Sequence, residues 1–129
     1  IESNMAKGWL TAEQAQIARD IRAKVPGVSI TTDVIVGFPG ETQEQFEETL
    51  SIIDEAGLDY SNTAAYSPRK QTPAATWKDK FIPDEIKKER LRILNNKVKA
   101  SSKISNEKYI GKTLEVLVEE HKKEKVGYI

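Results

Sequence analysis

Hydrophobic residues recur at helical spacing in the first part of the chain. Four apolar residues fall on one side of a helix: Ile17, Ala18, Ile21 and Val25. Thr11 and Gln14 have capping-box spacing, in which each side chain binds a free backbone N–H at the helix start. Pro26 and Gly27 end the pattern. We therefore predict an amphipathic helix that buries its apolar side.

Two strand patterns follow, with a second helix between them. Residues 28–36 are rich in β-branched side chains and predict a strand buried on both faces at its apolar end. Thr42 and Gln45 repeat the capping-box spacing and open the helix, and Gly57 stands where a left-handed cap is expected. Residues 58–67 predict the second strand. This order, with short connections, predicts parallel strands and an α/β fold.

The last part of the chain predicts a long helix. Pro83 suits the first helical turn, and apolar positions continue to about residue 108. The predicted apolar stripe consists of Ile86, Leu91, Leu94, Val98 and Ile104. We interpret the charged run 87–90, with Arg92, as the solvated side of this helix.

A different kind of strand is predicted after the long helix. Gly111 is expected to end the helix, and residues 113–118 alternate between polar and apolar side chains. We place a domain boundary here, between residues 1–110 and 111–129. The first residue is Ile1 and the last ends a strand pattern, so we expect both ends to lie inside a longer protein.

Composition narrows the chemistry. The 129 residues carry 20 basic and 20 acidic side chains, so the net charge of zero gives no whole-chain attraction to nucleic acid. There is no cysteine, which excludes a disulfide scaffold and a cysteine-ligated metal cluster within these residues. No apolar run approaches the roughly 20 residues of a membrane helix. We expect a soluble chain without its own metal site.

The first candidate ligand site is the turn after the first strand. In parallel α/β folds, ligands bind at the carboxyl ends of the strands. Gly37 allows close backbone approach to a ligand, and Asp33 and Ile35 precede it on the strand. The alternative is a tight turn without a ligand, because a glycine-rich turn alone is a weak motif.

The second candidate site follows the second strand at the equivalent end. Arg69 is placed to hold a carboxylate or a phosphate, and Ser67 and small alanines leave room for a flat ligand. The alternative is a solvated loop. Trp9 and Trp77 favour packing roles over base stacking, and neither His121 nor the pair at 119–120 suggests catalysis.

Two segments of the chain resemble a known protein family. Residues 31–42 resemble the fifth-strand segment of radical-S-adenosylmethionine (SAM) methylthiotransferases. Residues 66–69, followed by 72–75, resemble the sixth-strand segment of that family. The form of the second segment is most similar to the branch that methylthiolates an isopentenylated adenosine beside the tRNA anticodon.

The resemblance continues to the end of the chain. Residues 87–91 are similar to the family helix that leads into the tail, and 111–119 resemble the opening strand of that tail, the TRAM domain. Residues 5–11 look like a divergent Met-Asn-Arg-Gly-Tyr-Thr segment. Two departures are Lys70-Gln71 in place of Pro-Gly, and lysine at position 7 in place of arginine. The implied fold is the end of a partial parallel, TIM-like barrel, then a long helix and the start of a small β-barrel.

The resemblance also implies a mechanism for the complete enzyme. One [4Fe–4S] cluster reduces SAM to give a 5′-deoxyadenosyl radical, and a second cluster supplies sulfur. The family places residues of these two strands against the adenosyl part of SAM, which here are Ile35, Gly37, Tyr66 and Ser67. Asp33 and Arg69 are expected to contact the substrate or the charged part of SAM. No catalytic residue is assigned, and we expect the chain alone to be inactive, with no cofactor bound.

Partners and alternatives follow from the same resemblance. The complete enzyme is expected to bind tRNA in the cytoplasm, whereas the neutral residues 1–129 alone should bind tRNA weakly or not at all at physiological salt. Bare sheet edges favour self-association. The alternatives are the related enzyme that modifies a ribosomal-protein aspartate, and a non-enzymatic α/β interaction module.

Overall fold

The computed structural model describes residues 12–119, which form a helical layer on a small parallel sheet. The elements in chain order are helix α1 (Ala12–Lys24), strand β1 (Thr31–Val36), helix α2 (Gln43–Ala56), strand β2 (Tyr60–Ala65) and helix α3 (Asp84–Glu107). Two short 3₁₀ turns, Pro73–Thr76 and Lys78–Lys80, precede α3. This order confirms the predicted α/β fold.

Helix α2 begins and ends where its sequence predicts. The Thr42 hydroxyl accepts a hydrogen bond from the Gln45 N–H at 3.2 Å, and the Thr42 N–H donates to the Gln45 side chain at 3.0 Å. Gly57 closes the helix in a left-handed conformation with φ 56°. Both predicted caps are confirmed. The capping box predicted for α1 begins at Thr11, which lies outside the described residues.

The two strands pair in parallel, as predicted. The register runs from Thr31 opposite Tyr60 to Val36 opposite Ala65. Both strands are shorter than the predicted stretches 28–36 and 58–67, because only six residues of each find a partner in the other.

One face of the sheet is buried against the helices. Strand β1 contributes Val34 and Val36 to the core, and α3 contacts both strands. The residues that alternate with them, Thr31, Asp33 and Ile35, are exposed or half-buried. The expectation that the first strand is buried on both faces is therefore wrong. The pattern of β-branched residues did not distinguish the two faces, since only the helical layer decides which face is covered.

Helix α1 packs with a side that includes only one of the four predicted residues, Ala18. Ala15 and Ala18 are buried, whereas Ile17, Ile21 and Val25 are 56%, 40% and 52% exposed. Small alanine side chains allow close packing between α1 and α2, which are neighbours in the helical layer. Periodicity identified the helix, but the larger apolar residues do not face this core.

Helix α3 also buries a side that includes a charge. Arg90, Leu94 and Val98 are spaced four residues apart and are all buried, so the interpretation of the whole run 87–90 as solvated is wrong for Arg90. Ile86 and Ile104 of the predicted stripe are 44% and 71% exposed. The buried stripe is thus narrower than predicted.

The segment after α3 does not form the predicted strand. A turn follows the helix and includes Gly111 at φ 79°, and residues 112–119 have no regular secondary structure. Val116 and Leu117 are 76% and 85% exposed. A strand requires a hydrogen-bonded neighbour, and within residues 12–119 only β1 and β2 pair with each other. The division into residues 1–110 and 111–129 stays a prediction.

Asp59 joins three elements at the amino-terminal end of the sheet. It accepts a hydrogen bond from the Ile30 N–H at 2.7 Å and from the Ser105 hydroxyl, and pairs with Arg22 at 3.2 Å. Burial by itself raises the pKa of Asp59, but the hydrogen bonds from Ser105 and Ile30 and the charges of Arg22 and Lys108 outweigh it. The pKa therefore falls below the ordinary 3.8.

Replacing Asp59 with asparagine is expected to lower the free energy of unfolding by about 1–3 kcal/mol at neutral pH, because charge-assisted hydrogen bonds are lost. Since the folded-state pKa is depressed, this stabilisation is present above the ordinary carboxyl pKa and is lost as pH falls through the folded value. Urea unfolding across the acidic range should show a smaller loss of stability for Asp59→Asn than for the unchanged chain. Asp54→Asn, at an exposed ion pair with Lys97, is the control. Equal acid sensitivity of the Asp59→Asn variant and the unchanged chain would contradict this role.

Candidate functional site

The turn between β1 and α2 is held by backbone hydrogen bonds at the carboxyl end of the sheet. Gly37 and Gly40 have φ values of 72° and 82°, which residues other than glycine rarely adopt. The Gly37 N–H donates to the Glu41 carboxylate at 3.0 Å. The Gly40 N–H donates to the Lys80 carbonyl at 2.8 Å, which connects this turn to the segment before α3.

A buried ion pair fixes this turn to α3. The Arg90 Nη1 lies 2.7 Å from the Glu41 carboxylate and also donates to the Glu41 carbonyl at 3.2 Å. Both side chains are more than nine-tenths buried. The Arg90 guanidinium lies 5.5 Å from the centre of the Phe46 ring. The sequence interpretation missed this pair, although the spacing of Arg90 from Leu94 and Val98 was a signal for it.

A cavity of about 680 Å³ opens at the carboxyl ends of β1 and β2. Ile35 and Ala64, which are opposite each other in the sheet, form part of its wall. The other lining residues come from the turn after β1 and the segment after β2: Phe38, Ala65, Tyr66, Ser67, Arg69, Thr72, Pro73, Ala74 and Trp77. Most of these side chains are apolar or small, so the cavity suits a flat, largely apolar ligand.

Aromatic rings form one wall of the cavity. The Phe38 ring contacts Tyr66 edge to face with centres 5.3 Å apart, and contacts Trp77 in the same way at 6.1 Å. Tyr66 also packs against Phe81 at 6.2 Å. Edge-to-face contacts of this kind hold rings in defined orientations. Trp77 thus has the packing contacts that the sequence favoured, and it also reaches the cavity.

Four of the six predicted site residues line this cavity together. They are Ile35, Tyr66, Ser67 and Arg69. Gly37 is not part of the lining. A Cβ atom at Gly37 would lie 2.3 Å from the Lys87 Cγ, so the space that its missing side chain leaves is filled by Lys87. Its role in binding a cofactor stays a prediction.

Asp33 lies further back on the open face of the sheet. Its carboxylate accepts a hydrogen bond from the Asn62 side chain at 2.8 Å, across the strand pair. Within residues 12–119, Asp33 and Arg69 do not form an ion pair with each other. Arg69 reaches the cavity without Asp33, so the two residues need not act together.

Tyr66 lines the cavity, whereas its hydroxyl oxygen is buried and has no hydrogen-bond partner within the described part of the chain. Its backbone carbonyl accepts a hydrogen bond from the Lys87 ammonium at 3.3 Å, which anchors the end of β2 to α3. A buried hydroxyl without a partner is costly, so it favours a buried water molecule that completes its hydrogen bonding.

The turn that carries Arg69 contains a strained residue. Gln71 has φ 71°, a left-handed conformation that glycine adopts more readily. The Thr72 hydroxyl and N–H both donate to the Arg69 carbonyl, at 2.8 and 3.3 Å, and close the turn. Gln71 is one of the two positions that differ from the Pro-Gly pair of the family that the sequence resembles.

Replacing Gln71 with glycine is expected to raise the free energy of unfolding by up to about 1 kcal/mol, because relief of the left-handed strain exceeds the extra flexibility of glycine in the unfolded chain. Thermal unfolding of the two proteins measures the difference. Lys70→Gly is the matched control and should lower stability, since Lys70 does not have positive φ. Destabilisation by Gln71→Gly equal to that of Lys70→Gly would contradict the assigned strain.

The cavity lining fits SAM, one of the two cofactors that the family resemblance implies. Its apolar and aromatic side chains offer contacts for an adenine ring, Arg69 offers a cation for a carboxylate, and about 680 Å³ is within the size range of ligand pockets. Iron–sulfur clusters do not fit this chain, because the sequence contains no cysteine. Within residues 12–119, no group of three or more acidic, histidine or cysteine side chains has the arrangement of a metal site.

Together the fold and cavity define an α/β domain with a ligand-sized pocket at the carboxyl ends of parallel strands. None of the known protein-family models matches this chain. In the part of the chain that the structure describes, no helix has both the length and the apolar character needed to cross a membrane. Trp9, His121 and the segment at residues 5–11 lie outside the described residues.

Proposed function

We propose that this chain is part of a radical-SAM enzyme and that its cavity forms a wall of the SAM and substrate site. The observation that carries the proposal is the meeting of two sequence segments at one cavity. Ile35 comes from the segment that resembles the family's fifth strand, and Tyr66, Ser67 and Arg69 come from the one that resembles the sixth. Parallel α/β folds bind ligands at this end of the sheet, which supports the proposal.

Within that class we propose a tRNA methylthiotransferase that acts in the cytoplasm on N6-isopentenyladenosine beside the anticodon. Residues 66–69 and 72–75 support this branch, because their sequence is most similar to it. The related enzyme for a ribosomal-protein aspartate more often replaces the arginine at the position of Arg69. The cavity with an accessible guanidinium is therefore the feature that favours tRNA as the substrate.

Each wall of the cavity has a distinct task in this proposal. Ile35 and Tyr66 contact the adenosyl group and exclude water from it, and Ser67 and the alanines leave room for the ring. Arg69 holds an anionic group at the opening. Held against these residues, SAM would supply radical chemistry together with a [4Fe–4S] cluster, whose cysteine ligands would have to lie outside residues 1–129.

Deletion of the gene, followed by mass spectrometry of tRNA nucleosides, tests the proposal. We expect the methylthiolated adenosine to disappear and the isopentenyladenosine to accumulate. The full-length gene should restore the modification, whereas residues 1–129 alone should not. Unchanged methylthiolation of tRNA, together with loss of methylthiolation on a ribosomal protein, would identify the enzyme as the one that modifies a ribosomal-protein aspartate. A full-length sequence without a Cys-x-x-x-Cys-x-x-Cys motif upstream of Ile1 would exclude both.

A further inference from the structure

The opening of the cavity is basic although the chain as a whole is neutral. The segment 66–82 contains four basic residues and one acidic residue: Arg69, Lys70, Lys78, Lys80 and Asp79. All five of these side chains are exposed. A concentration of positive charge beside aromatic rings is typical of surfaces that bind single-stranded nucleic acid, where cations follow the backbone and rings stack on bases.

Trp77 has the properties of a stacking surface. It is half-buried, lines the cavity, and is held by the perpendicular Phe38 ring with 86° between the planes. The Lys80 ammonium lies 5.6 Å from the centre of its indole ring. The indole is therefore fixed before any ligand arrives, which lowers the entropy cost of binding.

The Arg69 guanidinium is available to bind an anionic ligand. Its side chain is exposed, lines the cavity, and forms no hydrogen bond or ion pair with another side chain among the described residues. Its turn is closed through the Arg69 carbonyl by Thr72, which fixes the backbone from which the guanidinium extends. Arg92 differs, since its guanidinium already pairs with Glu89.

We propose that the outer part of the cavity binds an unpaired purine nucleotide of an RNA strand, with Trp77 stacked on the base and Arg69 on its phosphate. The inference rests on the proposed function for the choice of RNA and extends it to a residue, Trp77, outside the resemblance. The exposed lysines at positions 78 and 80 meet phosphates of neighbouring nucleotides. An acidic peptide would use the same cations but would have no need of the indole surface.

Fluorescence of Trp77 provides a direct test. The sequence contains two tryptophans, so Trp9→Phe leaves Trp77 as the single tryptophan. In this background, adenosine 5′-monophosphate (AMP) is expected to quench the fluorescence at low ionic strength and to bind about tenfold more tightly than adenosine, because a phosphate–guanidinium contact is added. A penta-adenylate RNA should bind more tightly than AMP, and physiological salt should weaken both.

Variants separate the phosphate contact of Arg69 from the base stacking of Trp77. Arg69→Ala should abolish the difference between AMP and adenosine, whereas Lys70→Ala, which removes a cation that does not line the cavity, should leave AMP binding unchanged. Trp77→Leu should weaken AMP by about tenfold in calorimetry, and Trp77→Phe should retain part of the affinity because a ring can still stack. Circular dichroism confirms that each variant is folded.

Several results would overturn the proposal. The first is equal affinity for AMP and adenosine, and the second is binding of S-adenosylhomocysteine with no preference for ligands that carry the phosphate. The third is a pentanucleotide that binds no better than AMP. The fourth is no quenching of Trp77 fluorescence by any of these ligands. The second result would assign the outer cavity to the cofactor, and the third to a free nucleotide. The proposed function fails separately, through unchanged tRNA in the deletion strain, while nucleotide binding at Trp77 and Arg69 is still measured.

Discussion

Replacing Glu41 with alanine is expected to lower the free energy of unfolding by about 3–5 kcal/mol, the cost of leaving a buried charge without its partner. The Arg90 guanidinium would lose its carboxylate, while burial by the surrounding core excludes the water that would replace it. The Gly37 N–H would lose its acceptor as well. Against a total stability of about 5–15 kcal/mol, this change is large.

Urea denaturation of Glu41→Ala, followed by circular dichroism, measures the effect. Glu89→Ala is the matched control, because it also removes a glutamate paired with an arginine, but both partners are more than half exposed and little change is expected. The double variant Glu41→Leu with Arg90→Leu should recover part of the loss, since no buried charge remains. Equal effects of Glu41→Ala and Glu89→Ala would show that the buried pair has no special role.

Under the proposed function, replacing Arg69 with alanine in the full-length enzyme, with its clusters rebuilt, is expected to reduce methylthiolation by about 100-fold through loss of ligand positioning. The fold and the cluster content should be unchanged, because Arg69 is exposed and its side chain is not part of the core. Turnover is measured on isopentenylated tRNA by mass spectrometry. Iron content and SAM binding are measured on the same samples.

The matched control for this prediction is Lys70→Ala in the same turn. Lys70 carries the same charge but does not line the cavity, so turnover at saturating tRNA should change little. Arg69→Lys should restore only part of the activity, because lysine supplies a charge without the planar fork. Unchanged turnover of Arg69→Ala would remove this residue from the site.

Four of the eleven residues that line the cavity were predicted from the sequence. The family resemblance implied Ile35 and Tyr66, and both line one cavity at the carboxyl ends of the parallel strands. Trp77 was interpreted as a packing residue, since nothing in the local pattern shows that the segment after β2 folds back over the strand ends. Gly37 was expected to face a ligand, but Lys87, fifty positions later, occupies that space.

The sequence by itself determined the features that depend on neighbours within a few residues. The capping box at Thr42, the left-handed cap at Gly57 and the order of strands and helices follow from backbone hydrogen bonds and dihedral preferences that operate locally. Only the tertiary structure decided which side of each element is buried, because burial depends on partners far away in the chain. Ala15 is buried instead of Ile17, and Arg90 is buried since Glu41 reaches it across the domain.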